Sequence, residues 1–292
     1  MSGLKRAMLC LFILMVSVPL WSRHIIGGVM TYDCLGNNRY EFTLRVYRDC
    51  NCTNCADLDN VAEIGIYRCS SPDDCNGQYQ SNPYDQVSVP LSSVEEVDQP
   101  DYPCLIPPNV CGEEGIYRFT LELPLSDESY FISYQRCCRN VTIANIFGPE
   151  DSGATFMIEL TPLAQQLCNS SPSFETYPPM IICNDAPLEY DHSATDPDGD
   201  QLVYEFCAPL LGGGPQLDPA FYNTCTGANP IPACPPPYNT VTFRAPNYTA
   251  TRPMAGDPII TIDPVTGLIT GTPQFQGQFV VGVCVSEYRN GL

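Results

Sequence analysis

Asp196, Asp198 and Asp200 place three carboxylates on alternate residues of one short turn, Asp196-Pro197-Asp198-Gly199-Asp200. Loops that hold hard cations begin with oxygen ligands at alternate positions, and a glycine lets the chain bend sharply between them. The turn therefore predicts calcium at Asp196, Asp198 and Asp200. The same residues also make an ordinary acidic turn, because Asp and Gly suit turn backbone on their own account. Thiols are the second chemistry on offer. Of 17 cysteines, Cys10 falls in an apolar leader, which leaves an even number in the exported chain. Cys50, Cys52, Cys55, Cys69 and Cys75 could be drawn as a zinc cluster, but in an oxidising compartment they read as disulfides. Cys225 and Cys234 can close a small ring. The adjacent Cys137 and Cys138 are expected to pair with two different partners rather than with each other.

Other catalytic chemistry has little to work with. No lysine follows Lys5, which excludes Schiff-base chemistry, a phosphate-binding lysine and Lys–Asn cross-links. The histidines are His24 and His192. His192 shares parity with Leu188 and Tyr190 along a strand, the pattern of a packed histidine rather than a general base. There is no G-x-S-x-G, H-E-x-x-H or phosphate-loop motif. With 33 acidic residues some pair will always suit glycoside hydrolysis, so their number decides nothing. The chain reads as a non-enzyme.

The acidic turn needs strands to hold it. Leu188, Tyr190, His192 and Ala194 share one parity before it, and Leu202, Tyr204 and Phe206 share one parity after it. Period-two alternation around an Asp/Gly/Pro cluster marks two half-buried antiparallel strands. Further candidates are residues 241–244, 259–262 and 278–288. Upstream, Tyr40, Phe42, Leu44 and Val46 alternate with Arg39, Glu41, Thr43 and Arg45. Residues 25–32, 61–68, 86–90, 117–123, 130–136 and 154–160 complete seven strand signals, a sandwich-like count. No helical period of useful length appears, and the 29 prolines would interrupt one.

Organisation follows from composition. Lys5-Arg6, an apolar run over residues 8–20 and Ser22 predict a secretory signal peptide over residues 1–22. The run falls short of a membrane span, and no later stretch is apolar enough for one. Residues 23–160 form a first β-sandwich, 161–179 a Pro/Ser-rich linker, and 180–292 a second sandwich. Losing the leader leaves 11 basic against 33 acidic residues, a net charge of −22. Such a surface repels nucleic acid and anionic lipid and favours divalent cations. At 44% hydrophobic residues the chain has too much apolar content for disorder.

Ala194-x-Asp196-x-Asp198-Gly199-Asp200-x-Leu202-x-Tyr204 is followed by a second marker, Asp263-x-x-Thr266-Gly267-x-Ile269-x-Gly271-Thr272-Pro273. A third follows, Gly277-x-Phe279-x-Val281-x-Val283-x-Val285. In this order the motifs resemble cadherin-like or Ig-like modules of bacterial surface proteins. With His24-Ile25-Ile26-Gly27-Gly28, Tyr47-Arg48-Asp49-Cys50, Gln135-Arg136-Cys137-Cys138-Arg139-Asn140 and Glu287-Tyr288-Arg289-Asn290-Gly291, the chain resembles the front of large secreted proteins of gliding Bacteroidetes. The resemblance implies an all-β, disulfide-rich chain of two tandem Ig-like or cadherin-like sandwiches. It implies an extracellular structural or adhesion module whose partners are other domains of one larger protein and cell-surface or matrix components. The last strand of the fold would be missing after Leu292, leaving a raw sheet edge. A carbohydrate-binding or carbohydrate-degrading protein is the rival reading, to be recognised by an exposed coplanar aromatic pair in a cleft.

In the resembled fold the strands after the acidic turn and over residues 278–288 are antiparallel neighbours. Cys207 and Cys284 both face outward there, and the resemblance implies a directly opposed, bonded pair. That register sets Glu287 opposite Tyr204, roughly 13 Å from Asp200 and too far to share its cation. The pattern also departs from cadherins in offering Glu287-Tyr288-Arg289, with a positive charge where an Asp would close the site.

Overall fold

The computed structural model describes residues 25–50, 57–77, 83–97, 111–176, 181–215, 221 and 224–289. The predicted leader and Cys52, Cys55 and Cys104 lie outside them. All seven strand signals of the first half are strands: β1 (Ile25–Gly36), β2 (Arg39–Asp49), β3 (Val61–Cys69), β4 (Asp85–Pro90), β6 (Gly112–Glu122), β7 (Ser129–Arg136) and β8 (Ala154–Leu160). A short polar strand, β5 (Ser93–Glu96), gave no alternation signal. Two antiparallel sheets result, ordered β1-β2-β6-β5 and β4-β3-β7-β8. Tyr40, Phe42, Leu44 and Val46 of β2 meet Ile64, Ile66, Tyr130, Ile132 and Tyr134 in one core between the sheets. Alternation is what makes this possible, since only one face of each strand has to be apolar.

Strand β7 breaks that alternation, being buried from Ser129 to Gln135. Its outer face lies under a loop from the second half of the chain. Ala233 accepts a hydrogen bond from the Tyr67 hydroxyl at 2.6 Å, and Cys234 N–H donates to Gln135 Oε1 at 2.9 Å. Thr155 Oγ1 donates to the Leu211 carbonyl at 2.7 Å. Backbones touch here: a Cβ on Gly153 would lie 1.8 Å from the Gly212 carbonyl oxygen. The contact requires glycine at 153, and a Cβ on Gly212 would in turn lie 2.0 Å from Thr155 Oγ1. Arg139 is buried at the same seam and donates to the Leu210 carbonyl at 3.1 Å. Burial lowers its pKa to about 10.

The second half contains β9 (Ser173–Phe174), β10 (Leu188–Asp191), β11 (Ala194–Thr195), β12 (Gln201–Cys207), β13 (Thr261–Ile262), β14 (Leu268–Gly271) and β15 (Gly282–Tyr288). They pair antiparallel as β10-β14-β13, β11-β9 and β12-β15. Phe206, Met254, Ile260 and Ile269 form their core. Residues 241–244 make single bridges rather than the predicted strand. Their partner is the β7–β8 connection of the first half. Phe147 N–H donates to the Thr242 carbonyl and Arg244 N–H to the Asn145 carbonyl, both at 2.9 Å. On its other side this segment reaches residues 278–280, where Ala144 N–H donates to the Gln278 carbonyl at 2.8 Å. Asn145 imitates a strand with its side chain. Oδ1 accepts from Val280 N–H at 3.0 Å, while Nδ2 donates to the carbonyls of Val280 at 2.7 Å and Pro253 at 2.8 Å. Ile143 and Ile146 complete a small core with Val241 and Val280.

Residues 161–179, expected as a linker, are anchored at Ala164, Gln165, Asn169, Ser170 and Ser171, which are buried. Thr161 caps a short helix, α1 (Pro162–Leu167), by accepting from Ala164 N–H at 3.2 Å. Cys168 is bonded to Cys34, and Ser171 exchanges hydrogen bonds with Tyr32. Proline at N1 starts a helix as readily as it stops one, which composition alone cannot reveal.

Six disulfides join described cysteines, Cys34–Cys168, Cys50–Cys111, Cys69–Cys75, Cys137–Cys138, Cys207–Cys284 and Cys225–Cys234, and Cys183 is also bonded. The bond between Cys137 and Cys138 corrects the expectation of two separate partners for them. This many disulfides fit a non-cytoplasmic protein. Among the described residues no helix is long and apolar enough to cross a membrane.

Asn145 is the most exposed test of the interlock. Asn145→Ala removes three hydrogen bonds and strands buried backbone groups of Val280 and Pro253. Urea unfolding of the oxidised protein should show a loss of roughly 3–5 kcal/mol, and Asn145→Asp, which sets an acceptor oxygen against the carbonyls of Val280 and Pro253 in a fully buried site, should lose at least as much.

Candidate functional site

The acidic turn is tied by its own first residue. Asp196 Oδ1 accepts from the N–H groups of Asp198 at 3.0 Å and Asp200 at 2.8 Å, and Gly199 takes φ +78° to close the bend. The three carboxylates then part company. Asp198 points to the first half of the chain, where Oδ2 accepts from Ser170 N–H at 2.7 Å. Asp200 is gripped by Arg289, whose Nε and Nη2 donate to Oδ1 and Oδ2 at 2.6 and 2.7 Å. Two parallel bonds to one carboxylate make a stronger and better oriented pair than a single contact. Asp196 keeps its second oxygen, Oδ2, buried without a hydrogen bond.

Glu287 joins this group, correcting the register the resemblance implied. Strands β12 and β15 pair with Glu205 opposite Cys284 and Leu202 opposite Glu287, two residues from the implied alignment. Cys207 and Cys284 are bonded all the same, as a diagonal pair with Cα atoms 5.8 Å apart. The bridge and the approach of Glu287 therefore coexist. Carboxylate oxygens of Asp196, Asp200 and Glu287 lie within 4.8 Å of one another. Asp198, the middle residue of the predicted trio, is not in the cluster. Burial, with Asp196 and Asp200 close by, raises the Glu287 pKa from 4.5 to about 7, against a lowering hydrogen bond from Asn169.

Asn169 links the acids to the first sandwich. Its Nδ2 donates to Glu287 Oε1 at 3.0 Å and its Oδ1 accepts from Arg289 at 2.7 Å. Next to it, Ser170 Oγ accepts from Cys34 N–H at 3.1 Å and Ser171 Oγ accepts from Tyr32 N–H at 2.8 Å. Sequence reasoning missed Asn169, Ser170 and Tyr32, because all but one of the partners named here lie more than 100 positions away, Asp198 lies 28 from Ser170, and no local period records either. Arg289, read as a wrong charge, is the counter-ion of Asp200.

His192 is packed, as its parity suggested. It is buried, its ring stacks on Phe174 with centroids 4.2 Å apart, and burial lowers its pKa to about 4. It stays neutral while the unfolded chain protonates, so stability falls as pH drops from 6.5 towards 4. The second marker is turn chemistry: Asp263 Oδ1 accepts from the N–H groups of Val265 and Thr266 at 2.9 and 2.8 Å. Cys225 and Cys234 are bonded, closing the ring that packs on β7. Among the described residues, the stacked ring pairs Phe42–Phe119, Tyr134–Phe156 and Phe174–His192 each include a buried member. Of the loop tyrosines that could supply a coplanar pair, Tyr79, Tyr102 and Tyr222 lie outside the described residues, and Tyr84 meets Tyr130 edge-on with centroids 5.2 Å apart. Compared with known protein families, curated proteins and solved structures, the chain gives no match.

The raised Glu287 pKa has a sign that can be tested. The folded state holds a proton that the unfolded chain has released, so the stabilisation is fully present below pH 4.5 and is lost as pH rises through 7. Glu287→Gln is neutral throughout. In chelator, its stability relative to the parent should rise by about 1–2 kcal/mol between about pH 5 and about pH 8, screening of a half-exposed group included. A difference that does not vary with pH would contradict the assignment.

Proposed function

We propose that this chain is a non-enzymatic structural or adhesion module of a larger secreted or cell-surface protein, of the kind carried by gliding Bacteroidetes. Its two units are Ig-like or cadherin-like sandwiches that act as one stiff body. The observation that carries this reading is where the polar groups of the candidate site are spent. Asp196 shapes its own turn, Asp198 and Asn169 tie the halves together, and Asp200 is paired with Arg289. Each fixes one part of the chain to another. The strongly acidic surface favours cation-rich extracellular partners over nucleic acid.

Calcium belongs to the proposal. A buried, unbonded oxygen on Asp196 and the neighbouring oxygens of Asp200 and Glu287 are a fitting donor set for a hard cation. Asp196, Asp200 and Glu287 would hold the ion, which would supply a further tie across the turn. Asp198 would not, and Arg289 would compete for Asp200. Titration calorimetry in the range ~0.1–1 mM, the affinity usual for extracellular modules, should show binding that Glu287→Gln weakens. No heat at millimolar calcium removes the cation from the proposal. A glycan array and a hydrolysis screen test the rest. Tight glycan binding or turnover would overturn the structural reading.

A further inference from the structure

The 33 acidic residues are spread unevenly along the chain, and the fold sharpens the unevenness. None falls in residues 129–149, 224–256 or 264–286. The structure lays parts of these three runs side by side. Ile143 bridges to Gln278 and Ile146 to Phe243, so residues 143–147 lie between residues 278–280 and 242–244. Asn145 Nδ2 ties the same group to the Pro253 carbonyl, and Gln274 N–H donates to the Ala255 carbonyl at 3.2 Å. The nearest carboxylates along the chain, Glu150, Asp151 and Asp257, stand at the border.

What this surface offers instead is apolar side chains and arginine. Val141, Phe147 and Phe275 are 63%, 57% and 59% exposed. Arg244 lies over the Phe147 ring, 5.5 Å from its centroid, and its Nε donates to the Ile146 carbonyl at 2.9 Å. Arg252 sits in the next turn, where it exchanges backbone hydrogen bonds with Thr249. Both arginines are exposed, and among the described residues neither joins an ion pair. Arg45, Arg48, Arg68, Arg136 and Arg289 each do. A single exposed hydrophobic residue is ordinary on a protein surface. Phenylalanine and arginine together, with carboxylates kept away, are the composition of an interface centre.

We propose that this surface is where two copies of the chain pair about a two-fold axis. With 33 acidic against 13 basic residues, two copies repel each other least where carboxylates are absent. Contact here buries no carboxylate at its centre, which spares the desolvation that an acidic contact would cost. It also leaves the acidic surfaces turned away from each other. In a two-fold contact each surface meets its own copy, so the arginines of one face the border carboxylates of the other. A second copy therefore brings the complementary charge by construction, which no other partner is bound to do.

Sedimentation equilibrium of the oxidised protein, from roughly 1 to 100 μM, tests the pairing. A monomer–dimer equilibrium is expected, and it should strengthen as salt screens the net repulsion. Phe147→Asp and Phe275→Asp each put a carboxylate into the contact and should weaken the dimer by roughly tenfold or more. Leu125→Asp changes a residue that is also 59% exposed, on the β6–β7 turn outside this surface, and should leave the dimer as it is. All three side chains are exposed, so the variants should melt with the parent. Monomer throughout the range, assemblies larger than a dimer, a dimer that salt weakens, or equal weakening by Leu125→Asp would overturn the inference. So would a monomer that binds an immobilised glycan through Phe147.

Discussion

The exchange of hydrogen bonds between the Asn145 side chain and the backbone of Val280 is the contact on which the arrangement of the two halves depends. An amide side chain offers an acceptor and two N–H donors, one of each in nearly the geometry of a peptide group, so it can complete a sheet edge without a full strand. Residues 143–147 reach this position because β7 and β8 are neighbours whose connection projects from the first sandwich. In return, the loop carrying Cys225 and Cys234 covers the outer face of β7. Each half thus supplies a surface the other lacks. Neither the Tyr67 and Gln135 face of the first sandwich nor the Val241 and Val280 core of the second half would be closed alone.

Electrostatics adds a second tie of a different kind. An excess of acidic residues repels itself, and a compact state must neutralise the acids it gathers. Around the turn this is done three ways at once. Arg289 neutralises Asp200, burial favours the protonated form of Glu287, and Asp196 and Asp198 accept backbone N–H groups. A divalent cation would take over from the proton and part of the guanidinium. The junction is therefore the place where pH acts, and where a cation would act, on the same few bonds.

The strands of the first sandwich were legible because one face of each is buried and the other wet, a difference that composition records residue by residue. β7 was found by its apolar content, yet its covered outer face was not, since Ser133 and Gln135 look alike whether solvent or a distant loop lies over them. The register of β12 and β15 shows the limit most clearly. A slip of one residue turns every side chain to the other face, but a slip of two leaves every face as it was. Inward Tyr204 and Phe206 and outward Cys207 and Cys284 are therefore equally consistent with both alignments. Only the long-range contacts of Glu287 separate them. In the same way Asp196 and Asp200 were readable as a cluster from their spacing, whereas Asn169, Ser170 and Asn145 act through partners that no local pattern identifies.

The central claim is that the halves fold and unfold as one body. Differential scanning calorimetry of the oxidised protein tests it most directly. A single transition, with calorimetric and van't Hoff enthalpies in agreement, is the result expected of interlocked halves. Two resolved transitions, or a van't Hoff enthalpy well below the calorimetric one, would show that the halves melt independently and that the contacts at Asn145 do not unite them.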